Sequence, residues 1–68
     1  MMTIEDFQDD FSKYIWNYER VRIHINNDVL IIADDYAIDN DIIILIYAYH
    51  KIAYLRPEVI TRLSSDSI

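Results

Sequence analysis

The sequence predicts an α+β fold: an N-terminal amphipathic helix, a two-stranded β-hairpin, a buried central helix and a short C-terminal helix. Three observations predict it. Apolar residues recur at helical spacing through the first nineteen residues. Apolar and polar residues alternate from Val21 to Ile25. A mostly apolar stretch of fifteen residues follows Asn40.

In the stretch MMTIEDFQDDFSKYIWNYE, Ile4, Phe7, Phe11, Tyr14, Ile15 and Tyr18 fall on one helical face. Thr3 with Asp6 three residues on has the form of a capping box, with Asp in place of the usual Glu or Gln. In RVRIHINNDVLIIADD, Asn26-Asn27 forms a two-residue turn, because Asn tolerates positive φ. That register sets Ile23 against Leu30 and Val21 against Ile32 on a shared face. A competing, all-α reading continues an a/d heptad from Ile4 to Ile25 and places a second helix over Val29–Ala37.

The Asx cluster at Asp39–Asn40 echoes the one at Asn26–Asn27, thirteen residues earlier, but the apolar run behind it is longer. Fifteen residues exceed a typical strand, so DNDIIILIYAYHKIAYL reads as a helix capped by Asp39 or Asn40. Pro57 ends it and opens a short helix, PEVITRL. Residues 64–68 read as a frayed tail.

Length and composition bound the function. A chain of 68 residues is a single small domain with a small core. It has no Cys, which removes disulfides and thiolate metal sites. An apolar content of 53% favours self-association, as a homodimer or larger. A net charge of −6 disfavours direct nucleic-acid binding and favours a protein partner with a basic surface. The longest unbroken apolar run, Ile42–Tyr49, has eight residues, against about 20 for a membrane span. No secretory leader is visible, and the expected location is the cytoplasm, that of the host if the chain is phage-encoded.

No constellation specifies catalysis. His24 and His50 are the only histidines, no Ser has a nucleophile's context, and no Gly exists to cradle a phosphate. The expectation is a non-enzyme without cofactor. Asp34, Asp35, Asp39 and Asp41 cluster, yet the segment lacks the Gly and the twelfth-position Glu of a calcium loop, so no metal is expected.

Two surfaces stand out. On the first helix, Glu5, Asp9, Ser12 and Trp16 line up opposite the apolar face, flanked by Asp6, Asp10 and Lys13. A Trp on a polar face fits a binding anchor, which makes Glu5, Asp6, Asp9, Asp10 and Trp16 the candidate partner site. On the expected central helix, Ile43, Tyr47 and Tyr54 share a second apolar face, a candidate dimer interface. Short, acidic, free of Cys and rich in aromatics, the chain resembles in profile the phage-encoded host-takeover and anti-defence proteins, anti-CRISPR proteins among them. No motif is shared, so no residue roles carry over. The expectation is a small acidic inhibitor of a nucleic-acid-handling protein. The alternatives are an antitoxin or immunity protein and an oligomeric assembly subunit.

Overall fold

The structure, a computed structural model, describes residues 1–16 and 20–66. Helix α1 spans Ile4–Ile15. Thr3 is its N-cap, and the capping box is present: Asp6 N donates to Thr3 Oγ1, and Thr3 N to Asp6 Oδ2, both at 3.1 Å. Those two bonds satisfy donors that a helix start leaves open. Tyr18 of the expected apolar stripe lies outside the described residues.

Among the described residues six strands follow: β1 Val21–Ile25, β2 Val29–Ala33, β3 Asp35–Asp39, β4 Ile42–Tyr47, β5 His50–Leu55 and β6 Ile60–Ser65. They form two antiparallel sheets, β2-β1-β6 (sheet A) and β3-β4-β5 (sheet B). Only Asp34 separates β2 from β3, so the chain passes from one sheet into the other at a single bent residue. Asp34 N donates to Ile46 O at 2.9 Å, extending the β3–β4 ladder into that corner.

This overturns the expected central helix and with it the all-α alternative. The run Ile42–Leu55 is a β-hairpin, not a helix. Asn40 and Asp41 are not a helix cap; with φ of 49° and 64° they make a two-residue turn with both central residues left-handed. Both Asx clusters therefore open strands. The physical reason lies in Ile42, Ile43, Ile44 and Ile46: branched side chains pack well on a pleated sheet and lose rotamer freedom in a helix. Strand β4 is central in its sheet, with Ile43, Ile44 and Leu45 all buried, so its pattern is a continuous apolar run rather than an alternation.

The first hairpin exists in a different register. Asn26–Asp28 form a three-residue connection, with Asn27 at φ 66° and Asp28 at φ 61°. Val21 therefore faces Ala33, and Ile23 faces Ile31. A one-residue slip exchanges the two faces of a strand, so Ile31 and Ala33 join the core while Leu30 is 46% exposed. The short C-terminal helix reduces to one 3-10 turn, Pro57–Val59, which leads directly into β6. Ser64 and Ser65 belong to that strand rather than to a frayed tail.

The core lies where α1 and the two sheets meet. Phe7, Phe11, Val21, Ile23, Ala33, Ile43, Leu45, Ile60 and Leu63 form one buried cluster. Tyr36 on β3 takes both helix phenylalanines edge-on, with ring centroids 5.0 Å from Phe7 and 4.9 Å from Phe11. Such pairs add about 0.5–1.5 kcal/mol each beyond area burial. They hold α1 in one rotational setting, which decides what its other face presents to solvent.

Candidate functional site

The outward face of α1 follows from that seating. Phe7 and Phe11 are 0% and 3% exposed. At about 100° per residue, Glu5, Asp9, Ser12 and Trp16 then fall within about 60° of arc on the opposite side. Glu5, Asp9 and Ser12 are exposed, and Trp16 is 87% exposed. Trp16 keeps helical angles (φ −57°, ψ −36°), and its N–H donates to Ser12 O at 3.2 Å. Its indole therefore extends the carboxylate row.

The other two acids of the candidate site have different surroundings. Asp6 is exposed, but its carboxylate is engaged in the capping box. Asp10 is half-buried at the flank. The acids open to a partner reduce to Glu5 and Asp9. Lys13, the basic residue of the last turn, lies with Nζ 5.5 Å from the centre of the Tyr14 ring.

The candidate dimer face is not reproduced as a surface. Ile43 is fully buried in the core, Tyr47 is 36% exposed with its hydroxyl 3.5 Å from an Arg20 nitrogen, and Tyr54 is 62% exposed. Neighbours on a helix wheel are not neighbours on a strand. Ile43 and Tyr47 share strand parity, but Tyr54 pairs with Ile44 and projects from the other face.

A polar ladder on the outer face of sheet A was not anticipated. Asp66 carries a side chain only 7% exposed, clasped between Arg20 Nε and Arg22 Nε, each at 2.8 Å. Beside it, His24 Nε2 lies 2.8 Å from Ser64 Oγ. The alternation Arg20-Val21-Arg22-Ile23-His24 signals half of this arrangement. The partners, Ser64 of β6 and Asp66 just beyond it, arrive forty and more residues later, where composition suggests a tail. A serine hydroxyl on an imidazole is the geometry from which nucleophilic catalysis starts. Here the nearby carboxylate, Asp66, is held by arginines instead of orienting the ring. Burial first, then the charges of Arg62 and Arg22, lower the His24 pKa below its ordinary 6.5.

The four aspartates from Asp34 to Asp41 are spread over the sheet corner, β3 and its turn. Among the described residues, no group of three or more His, Asp or Glu side chains is placed to hold a metal ion. No described helix is long and apolar enough to cross a membrane. Comparison with protein-family models, with curated proteins and with solved structures yields no match.

Proposed function

We propose that the chain is a small acidic binding protein that inhibits a nucleic-acid-handling partner in the cytoplasm by covering its basic surface with the outward face of α1. One observation carries the reading: Trp16, 87% exposed, stands in line with Glu5 and Asp9 on a helix whose opposite side is locked into the core. A large aromatic left in water on a rigid element has no folding role to explain it, and aromatic anchors of this kind dominate interface energies. Carboxylates four residues apart sit about 5–6 Å from each other at Cβ, a spacing that lets them meet successive cations on a basic groove. The two components have separable roles. Exposed acids steer encounter and set salt sensitivity, whereas a buried aromatic sets residence time.

The test is capture from a host lysate at low salt, followed by competition and kinetics. The captured protein should bind nucleic acid itself, and duplex DNA or heparin should displace the chain. Replacing Glu5 and Asp9 by Gln and Asn should slow association and flatten its salt dependence. Trp16→Ala should speed dissociation and lose on the order of 2 kcal/mol or more of affinity. Asp6 is left out of the charge variant because its loss would weaken the helix cap. If both folded variants bind the captured protein as the parent does, this face is not the interface.

A further inference from the structure

Sheet B has an outer face that the core does not use. Its inner face carries Tyr36, Ile38, Ile43, Leu45, Ala53 and Leu55, all in or against the core cluster. By strand alternation the outer face is built from three cross-strand rows. The middle row is Ala37–Ile44–Tyr54, read directly from the pairing. One end row is Asp35–Ile46–Lys51, where a bulge places Ile52 beside Lys51. At the other end Asp39 pairs with Ile42. The β4–β5 pairing ends at Ile43 and Leu55, and Arg56, extended at φ −82° and ψ 145°, is the next residue beyond it, so the same register carried one step further sets it against Ile42.

Each row has a small or acidic residue on β3, an isoleucine on β4 and a large or basic residue on β5. We infer that this face is self-complementary and joins two copies of the chain, face to face, about a two-fold axis parallel to the strands. That operation exchanges left and right while keeping each row at its own height. It sets Asp35 over Lys51 of the second copy and Asp39 over Arg56 of the second copy. The bulky Tyr54, 62% exposed, comes over the exposed Ala37, and the β4 isoleucines meet their own counterparts. A two-fold axis across the strands would instead stack acid on acid and base on base. Charge thus selects one of the two orthogonal arrangements.

Area sets the strength. Three strands about 4.8 Å apart and five residues of about 3.4 Å rise give a face roughly 14 Å by 17 Å. Ile44 in its middle is already only 7% exposed. That is smaller than a standard stable interface, so the dimer is weak, with a dissociation constant on the order of micromolar or above. Helix α1 packs on the inner face through Tyr36, so the dimer leaves Trp16 free on both copies.

Two charge variants test this, with circular dichroism confirming that each folds. Asp35→Lys with Asp39→Lys makes the face all basic, and Lys51→Asp with Arg56→Asp makes it all acidic. Sedimentation should show the parent chain passing from monomer to dimer as its concentration rises to several hundred micromolar. Each folded variant alone should remain monomeric, and an equal mixture of the two should form a one-to-one heterodimer. A parent chain that stays monomeric across the range overturns the inference. So does a parent dimer that either variant alone still forms, or a mixture of the two variants that does not associate.

Discussion

His24 and Ser64 meet on the outer side of sheet A, 2.8 Å apart, with Arg22 and Arg62 as charged neighbours. Because burial and those two cations lower the imidazole's pKa, the folded protein binds a proton there less readily than the unfolded chain. Stability then rises with pH wherever the unfolded state holds more protons. The contribution of His24 is complete above the ordinary value of 6.5 and is lost as pH falls from there toward the lowered folded value. A His24→Gln variant retains a hydrogen-bonding group without the titration. Urea unfolding of both proteins from about pH 7.5 down to about pH 5.5 should show the parent losing stability relative to the variant. Parallel profiles would remove His24 as the titrating group.

The hairpin turns of sheet B are unusual because the chain has no glycine. Asn40-Asp41 suits a turn with two positive φ angles, since both residue types enter the left-handed region readily. Ala48-Tyr49, between β4 and β5, does not: φ is 51° and 70° in residues that seldom adopt it. Asp34 supports this turn from the sheet corner, where its Oδ2 accepts from Ala48 N at 3.0 Å. Left-handed geometry costs a residue with a Cβ roughly 1–2 kcal/mol. The Tyr49 side chain is fully exposed, so Tyr49→Gly should relieve strain without losing packing. The expected gain is about 1 kcal/mol, seen as a rise of about 4–8 °C in thermal midpoint. A lower midpoint would mean that Tyr49 makes a contact its exposure does not reveal. The same turn is why the sequence reads as a helix here. Without Gly, Asn or Asp at positions 48 and 49, nothing interrupts the apolar run, and a hairpin of two six-residue strands looks like one helix. Helix α1 was legible because its periodicity, acidic first turn and capping box all lie within a few residues of one another.

Across the whole molecule, stability depends on a cluster to which α1 and four of the six strands contribute. Neither small sheet has enough apolar face to stand alone, and α1 lies against β1 and β6 as well as against Tyr36. At the usual ~0.05–0.15 kcal/mol per residue, a domain of this length has about 3–10 kcal/mol in total. Phe7→Ala removes a fully buried ring at the centre of that cluster and should cost about 3–5 kcal/mol, enough to leave the chain marginal or unfolded. Trp16→Ala should move the chemical-denaturation midpoint by no more than about 0.5 kcal/mol in equivalent stability. Similar losses in the two variants would show that Trp16 is a packing residue and would sink the binding reading.

The sequence by itself determined what depends on neighbours along the chain. It determined α1 and its cap and the outward row Glu5–Asp9–Ser12–Trp16, whereas Val21–Ile25 reads equally as a strand or as the end of a longer helix until the sheet pairs it. These follow from periodicity and from bonds between residues three or four apart. Only the tertiary structure decided whether Ile42–Leu55 coils or pairs, because a buried strand and a buried helix share the same apolar composition. It also decided the register of the first hairpin, the clasp of Asp66 by Arg20 and Arg22 more than forty residues earlier in the chain, and the rows of sheet B. Each of these depends on partners distant in sequence, and pairing between strands, not local preference, brings them together.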